Sequence, residues 1–140
     1  ASEGVLLPLL DCNPDNLVIA NRTVNKAQAM VNKVNTASVE VKAVEFEQLG
    51  GHEFDIVVNA TSAGLTDAAL PISDSIFAKD CLAYDMMYGR ETPFMAQARA
   101  AGAEVADGLG MLVEQAAEAF YLWRGVRPET KPVIDMIRAM

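Results

Sequence analysis

The sequence lacks the features on which membrane insertion and disulfide formation depend. Its most apolar stretch, GVLLPLL at 4–10, is interrupted by Pro8 and followed by Asp11, so no run approaches the roughly 20 residues of a membrane span. Only two cysteines occur, Cys12 and Cys81, far apart and without CxxC or metal-ligand spacing. This cysteine usage favours reduced thiols and a cytoplasmic protein, and it predicts no metal site.

Basic residues and recognisable catalytic motifs are also scarce. Eleven Lys and Arg stand against nineteen Asp and Glu, a net charge of −8, which argues against a nucleic-acid partner because phosphate binding needs a basic face. The single histidine, His52, follows two glycines in a polar turn and is given no catalytic role. No GxSxG, HExxH or Walker motif occurs. The sequence therefore predicts no catalytic residue in this chain.

Apolar runs do alternate with amphipathic segments along the 140 residues, half of which are hydrophobic (51%). This is enough for one compact domain with a core. The longest predicted helix, opened by 107–110, is expected to bury one stripe: Leu112, Val113, Ala116, Ala117 and Phe120. The periodicity predicts helices at 2–10, 24–34, 92–101, 107–123 and 133–140, and strands at 17–20, 39–43, 54–59, 81–85 and 103–106. Thr92 as N-cap and Pro93 at the first helical position predict the start of the third helix, and Gly125 predicts the end of the fourth.

Strands that alternate with helices predict a Rossmann-like three-layer α/β/α sandwich with a mostly parallel sheet. A doubly wound nucleotide-binding fold begins with a strand and a glycine-rich turn. Neither precedes the first predicted helix, which starts directly after Ala1. The sequence therefore predicts one nucleotide-binding domain over 1–140 that lacks its first strand and most of its glycine-rich loop.

The charge pattern after the strand at 17–20 indicates a phosphate site. No acidic residue occurs between Asp15 and Glu40, and this interval contains Arg22 and Lys26. In dinucleotide-binding folds the end of the second strand faces the adenosine ribose, where basic residues accept a 2′-phosphate. The segment at 21–23, Asn-Arg-Thr, therefore predicts NADP rather than NAD, and the alternative is a strand end made of ordinary surface residues.

Two further strand ends carry weaker signals. The small residues at 59–64 allow a ligand to approach the backbone closely, although they equally suit a tight turn. Met86 is a plausible neighbour of a nicotinamide ring, with core packing as the alternative. Gln115 lies off the apolar stripe of the long helix and offers an amide to a hydroxylated ligand, unless it is simply solvated.

Four segments together resemble the carboxyl-terminal half of the shikimate dehydrogenase family, the NADP-dependent oxidoreductases of the chorismate pathway to aromatic amino acids. They are ANRTVNKA, NATSAG, YDMMYGRETPF and ADGLGMLVEQAAEAFYLWRG. The Asn-Arg-Thr element also occurs in related NADP-binding domains, whereas the YDMMY and DGLGMLVEQAA segments are far more specific. The opening ASEGVLLPLL is similar to the end of the family's glycine-rich loop and its first helix.

The resemblance implies roles for matching positions only. Ala1 matches the end of the diphosphate loop, and 21–26 matches the 2′-phosphate segment. Substrate-binding positions are Tyr88 and Gln115, which would reach shikimate. The cofactor-binding positions are Ala1, Asn21, Arg22, Thr23, Lys26, Asn59, Thr61, Gly64, Met86 and Gly108.

The implied reaction is the reversible, NADPH-dependent reduction of 3-dehydroshikimate to shikimate. The family's catalytic Lys and Asp belong to an amino-terminal substrate domain that is absent from this chain. The isolated chain is therefore expected to be inactive, to bind NADP weakly, and to self-associate through strand edges left unpaired. The alternatives are a quinate/shikimate dehydrogenase with relaxed cofactor or substrate choice, and a nucleotide-binding module without activity.

Overall fold

A computed structural model describes residues 2–34, 39–61 and 69–140 of the chain. Helices and strands alternate through most of these ranges, as the sequence predicts. Two short 3-10 turns, Phe46–Leu49 and Asp74–Ile76, precede β3 and β4. In chain order the elements are α1 (Ser2–Asp11), β1 (Asn16–Ala20), α2 (Val24–Lys33), β2 (Glu40–Val44), β3 (Phe54–Asn59), β4 (Phe77–Asp85), α3 (Pro93–Ala100), β5 (Glu104–Ala106), α4 (Leu109–Arg124) and α5 (Lys131–Arg138).

All strand pairs described are parallel, and they form two sheets. β1 pairs with β2, and β3, β4 and β5 pair in that order. With helices on both sides, this confirms the predicted Rossmann-like α/β class. The two sheets correspond to positions 3-2 and 4-5-6 of a doubly wound sheet, in which position 1 lies between β1 and β3. No strand among the described residues occupies that position.

One apolar core serves both sheets. Its centre is formed by side chains from the two 3-10 turns, β4 and α3, including Phe46, Ile76, Cys81 and Phe94. Val18 of β1 also packs against this centre. The shared core supports the carboxyl ends of the parallel strands. Ligands of such sheets bind at these ends.

The ends of two helices follow from local chemistry. Thr92 precedes α3 as its N-cap and accepts a hydrogen bond from the Met95 backbone N–H (3.3 Å), while Pro93 opens the helix. After α4 the chain turns at Gly125, whose φ of 74° lies in the left-handed region that glycine adopts readily. Both boundaries confirm the sequence predictions.

Two predictions about the secondary structure are wrong. β4 begins at Phe77 rather than Cys81, because the strand is irregular: Asp80 has a φ of 62°, and the pairing with β3 shifts register between Phe54 and Ile56. Because of this irregularity, the first residues of β4 do not show the regular apolar pattern from which a strand is predicted. The predicted buried stripe of α4 is wrong at three of its five positions: Val113 and Ala117 are buried, together with Leu109, whereas Leu112, Ala116 and Phe120 are exposed.

Within the described ranges the longest helix, α4, has 16 residues. None of the helices there has the length and apolar character needed to cross a bilayer.

Candidate functional site

The turn after β1 holds the predicted 2′-phosphate segment. The Asn21 backbone N–H donates to the Val44 carbonyl of β2 (3.2 Å), and its side-chain oxygen accepts the Thr23 N–H (3.1 Å). The Lys26 N–H donates to the Thr23 carbonyl (3.0 Å). These bonds fix the backbone of the turn, while the side chains of Arg22, Thr23 and Lys26 are exposed.

The electrostatics of this turn favour an anion. α2 has no acidic residue in its first turn, and within the ranges described no acidic side chain forms an ion pair with Arg22 or Lys26. The exposed N–H groups at a helix start carry partial positive charge. Arg22, Lys26 and the N-terminus of α2 thus all belong to the turn that follows β1, and their charges suit a phosphate group.

At the ends of β3 and β4, three buried polar side chains form one hydrogen-bond network. Asn59, Asp85 and Thr92 are 3%, 0% and 1% exposed. Asp85 Oδ2 accepts from Asn59 Nδ2 (3.1 Å) and from the Thr92 hydroxyl (2.5 Å), and its Oδ1 accepts the Met87 N–H (2.9 Å). Because buried polar groups are costly when unpaired, this complete pairing stabilises the strand ends.

The same network reaches the predicted cofactor residue Thr61. Asn59 Oδ1 accepts both the backbone N–H of Thr61 (3.1 Å) and its hydroxyl (2.7 Å). The Asn59 amide therefore donates to Asp85 on one side and orients Thr61 on the other. The backbone carbonyl of Asn59 accepts the Met86 N–H (3.1 Å), which joins the ends of β3 and β4 directly.

Gly108 fixes the other side of the segment after β4. Its N–H donates to the Met87 carbonyl (3.0 Å), and a Cβ built on it would overlap the Met86 carbonyl oxygen and lie 2.7 Å from the carbonyl carbon. Only glycine permits this approach. Met86 is half-buried and Tyr88, two residues on, is 44% exposed.

The start of α4 is tied to α5 by charge. Asp107 accepts the Leu109 N–H (3.2 Å) and binds the Arg138 guanidinium at both carboxylate oxygens (2.8 and 3.3 Å). The hydrogen bond from Arg138 holds the pKa of Asp107 below its ordinary value, although partial burial opposes this. Burial raises the pKa of Tyr84, and the charge of Asp107 raises it further, so this phenol stays protonated at neutral pH.

The predicted site residues fall into three groups. Asn59, Thr61, Met86 and Gly108 are brought together by the hydrogen bonds above, and Tyr88 lies two residues beyond Met86. The turn at 21–26 lies at the end of the other sheet. Gln115 is exposed on α4, two turns or about 10 Å along the helix from Gly108 and on the same face.

Ala1 and Gly64 lie outside the described residues. Asp85 was not predicted as a site residue, and Thr92 was predicted only as a helix cap. The one available signal was an acidic residue directly after the apolar stretch of β4, a place where ligands of parallel sheets bind. In the described part of the chain, no three metal-binding side chains cluster.

Two known protein families match parts of this chain. A family described as "Shikimate / quinate 5-dehydrogenase" matches residues 1–67, and "Shikimate 5'-dehydrogenase C-terminal domain" matches residues 108–137. The "Shikimate dehydrogenase (NADP(+))" of Methylobacillus flagellatus is 59% identical over 140 residues, which are 99% of this chain and 52% of that protein. The chain belongs to the shikimate dehydrogenase family.

Solved structures agree with this membership. An Ael1 enzyme from Pseudomonas putida superposes with a TM-score of 0.86 at 49% identity, over 95% of this chain and 49% of that one. Shikimate 5-dehydrogenase from Thermus thermophilus, solved with NADP(H) and shikimate, gives 0.77 at 30% identity, over 96% of this chain and 49% of that one. The chain thus spans about half the length of the shikimate dehydrogenases it matches.

Proposed function

We propose that this chain is the NADP-binding half of a shikimate dehydrogenase, which reversibly reduces 3-dehydroshikimate to shikimate. The observation that carries the cofactor assignment is the turn after β1, where Arg22 and Lys26 are exposed beside the start of α2. A 2′-phosphate there would neutralise both cations, whereas NAD would leave them without an anionic partner. The Methylobacillus relative is named for NADP(+), which supports the same choice.

The residues at the other strand ends fit the rest of the cofactor. Thr61, which the buried Asn59 orients, lies at the end of β3 on the cofactor side. The nicotinamide would lie near Met86 and Gly108, where the missing side chain of glycine brings backbone close to backbone. NADPH supplies the hydride when bound. This chain's residues bind and orient it, and Tyr88 and Gln115 would contact the hydroxyl or carboxylate groups of shikimate.

We further propose that an amino-terminal substrate domain completes the enzyme and supplies the catalytic Lys and Asp. Two features support this. Among the described residues β1 and β3 do not pair with each other, and a doubly wound sheet carries one more parallel strand between them, which would join the two sheets into one. In addition, α4 and α5 expose large apolar side chains, including Leu122 (73%), Trp123 (79%) and Met136 (61%), the kind of surface that a neighbouring domain covers.

The isolated 140-residue chain should then be catalytically inactive and prone to self-association through its free strand edges and this apolar surface. Size-exclusion chromatography that gave a stable monomer would contradict the second expectation. We place the protein in the cytoplasm, since Cys12 and Cys81 are both free thiols.

The complete open reading frame that encodes this chain provides the test. The purified full-length protein should oxidise NADPH only when 3-dehydroshikimate is added, and NADH should support the reaction poorly. Equal turnover of quinate and shikimate would instead favour a quinate/shikimate dehydrogenase. Binding of NADP without turnover of either substrate would indicate a nucleotide-binding module and would contradict the proposal.

A further inference from the structure

Asp85 is a fully buried carboxylate that accepts three hydrogen bonds, one from each of three different parts of the site. Its donors are the backbone of Met87, the amide of Asn59 and the hydroxyl of Thr92. We propose that Asp85 is a positioning residue of the enzyme: it sets the segment 86–88 against the end of β3. The inference rests on the proposed function, which assigns Met86 and Tyr88 to the cofactor and the substrate.

The directions of the hydrogen bonds show why a carboxylate is needed. The Thr92 hydroxyl accepts the Met95 N–H and so has its hydrogen available for Asp85. The Asn59 oxygen is occupied by Thr61, which leaves the Asn59 NH₂ facing Asp85. All groups around Asp85 therefore donate, and only a side chain with acceptors at both ends satisfies them.

This placement concerns both ligands at once. Through Asn59, Asp85 orients Thr61 on the cofactor side. Through the Met87 N–H, it fixes the backbone that leads to Tyr88 on the substrate side. Gly108 holds the same segment from the opposite direction by its bond to the Met87 carbonyl. Asp85 thus links the two halves of the site from a fully buried position.

Asp85→Asn in the full-length protein is the direct test. The amide keeps the shape of the side chain but turns one acceptor into a donor, so at least one of the three donors must face another donor. We expect kcat/KM for shikimate to fall by about tenfold or more in protein that remains folded. Hydrogen exchange measured by mass spectrometry should accelerate in residues 86–91.

A matched control is Ile76→Val, which loosens the apolar core but removes none of these hydrogen bonds. It should lower stability without changing KM for shikimate or the relative protection of 86–91. A second pair covers the case in which Asp85→Asn does not fold: Thr92→Ser keeps the hydroxyl that donates to Asp85 and should retain more shikimate efficiency than Thr92→Val, which loses it.

The proposal is overturned if Asp85→Asn retains wild-type kcat/KM and exchange, or if Ile76→Val matches its kinetic loss. If Asp85→Asn does not fold, equal kinetics of Thr92→Val and Thr92→Ser overturn it. Should the wild-type protein not turn over shikimate, the proposed function fails. The exchange comparison would still decide whether Asp85 fixes the segment 86–88.

Discussion

Gly108 and Met86 come so close that the site has no room for a side chain between them. A Cβ at Gly108 would overlap the Met86 carbonyl oxygen and lie 2.7 Å from its carbonyl carbon. The contact is between backbone atoms, which cannot rotate away as the end of a flexible side chain can. The start of α4 is therefore locked to the segment that follows β4.

Gly108→Ala should consequently destabilise the protein by about 2 kcal/mol or more, because the backbone must shift. Gly110→Ala is the matched control, since a Cβ there meets no atom within 4 Å and alanine favours the helix by about 0.5–1 kcal/mol. Thermal unfolding of the two variants should therefore shift in opposite directions. A Gly108→Ala protein as stable as wild type would show that this approach is not constrained.

Tyr88→Phe tests the substrate side. The 44% exposed ring stays in place, but the hydroxyl that would reach shikimate is lost. We expect the KM for shikimate to rise by about five- to tenfold with little change in the KM for NADP. The control is Tyr121→Phe, which removes the hydroxyl of a tyrosine that is also partly exposed but lies on α4. It should leave both constants unchanged. If Tyr88→Phe leaves the shikimate kinetics unaltered, Tyr88 has no place in the site.

Elements whose limits depend on local chemistry were predictable from the sequence. Thr92 and Pro93 fix the start of α3, and Gly125 the end of α4, because caps act within one turn of the helix. The start of β4 was not predictable, since the left-handed Asp80 and the register shift beside Phe54 arise from pairing with β3.

Some residues of the site could be predicted from local sequence, and others could not. Arg22 and Lys26 are visible as basic residues at a strand end, whereas the role of Asp85 depends on a partner 26 residues away, Asn59, and on complete burial. The exposure of Phe120 could not be predicted either, because periodicity marks an apolar face of a helix but does not say what covers it.

The Asp107 and Arg138 pair should make stability depend on pH in acid. The folded pKa of Asp107 lies below its ordinary value, so the contribution of the pair is complete above that ordinary value. It is lost as the pH falls through the lower folded pKa. Arg138→Met should lower the Tm modestly at pH 7, because the half-exposed pair is screened, and should flatten the fall of Tm below about pH 4.

Lys131→Met is the control for that experiment. It removes an ion pair with Asp135 in the same helix, in which both side chains are largely exposed. It should leave the Tm and its pH profile nearly unchanged. Identical acid profiles for Arg138→Met and wild type would show that the pair contributes nothing to the pH dependence.

Arg22→Ala tests the cofactor preference at the turn after β1. The exposed guanidinium would make charge-assisted hydrogen bonds to the 2′-phosphate of NADP, which NAD lacks. Its loss should lower kcat/KM with NADP by about tenfold or more and leave kcat/KM with NAD nearly unchanged. Lys79→Ala removes one exposed positive charge from β4 and should leave the ratio of the two efficiencies unaltered. Because both variants change the net charge equally, a fall in this ratio with Arg22→Ala alone would locate the phosphate at the end of β1, and an unchanged ratio would remove Arg22 from the cofactor site.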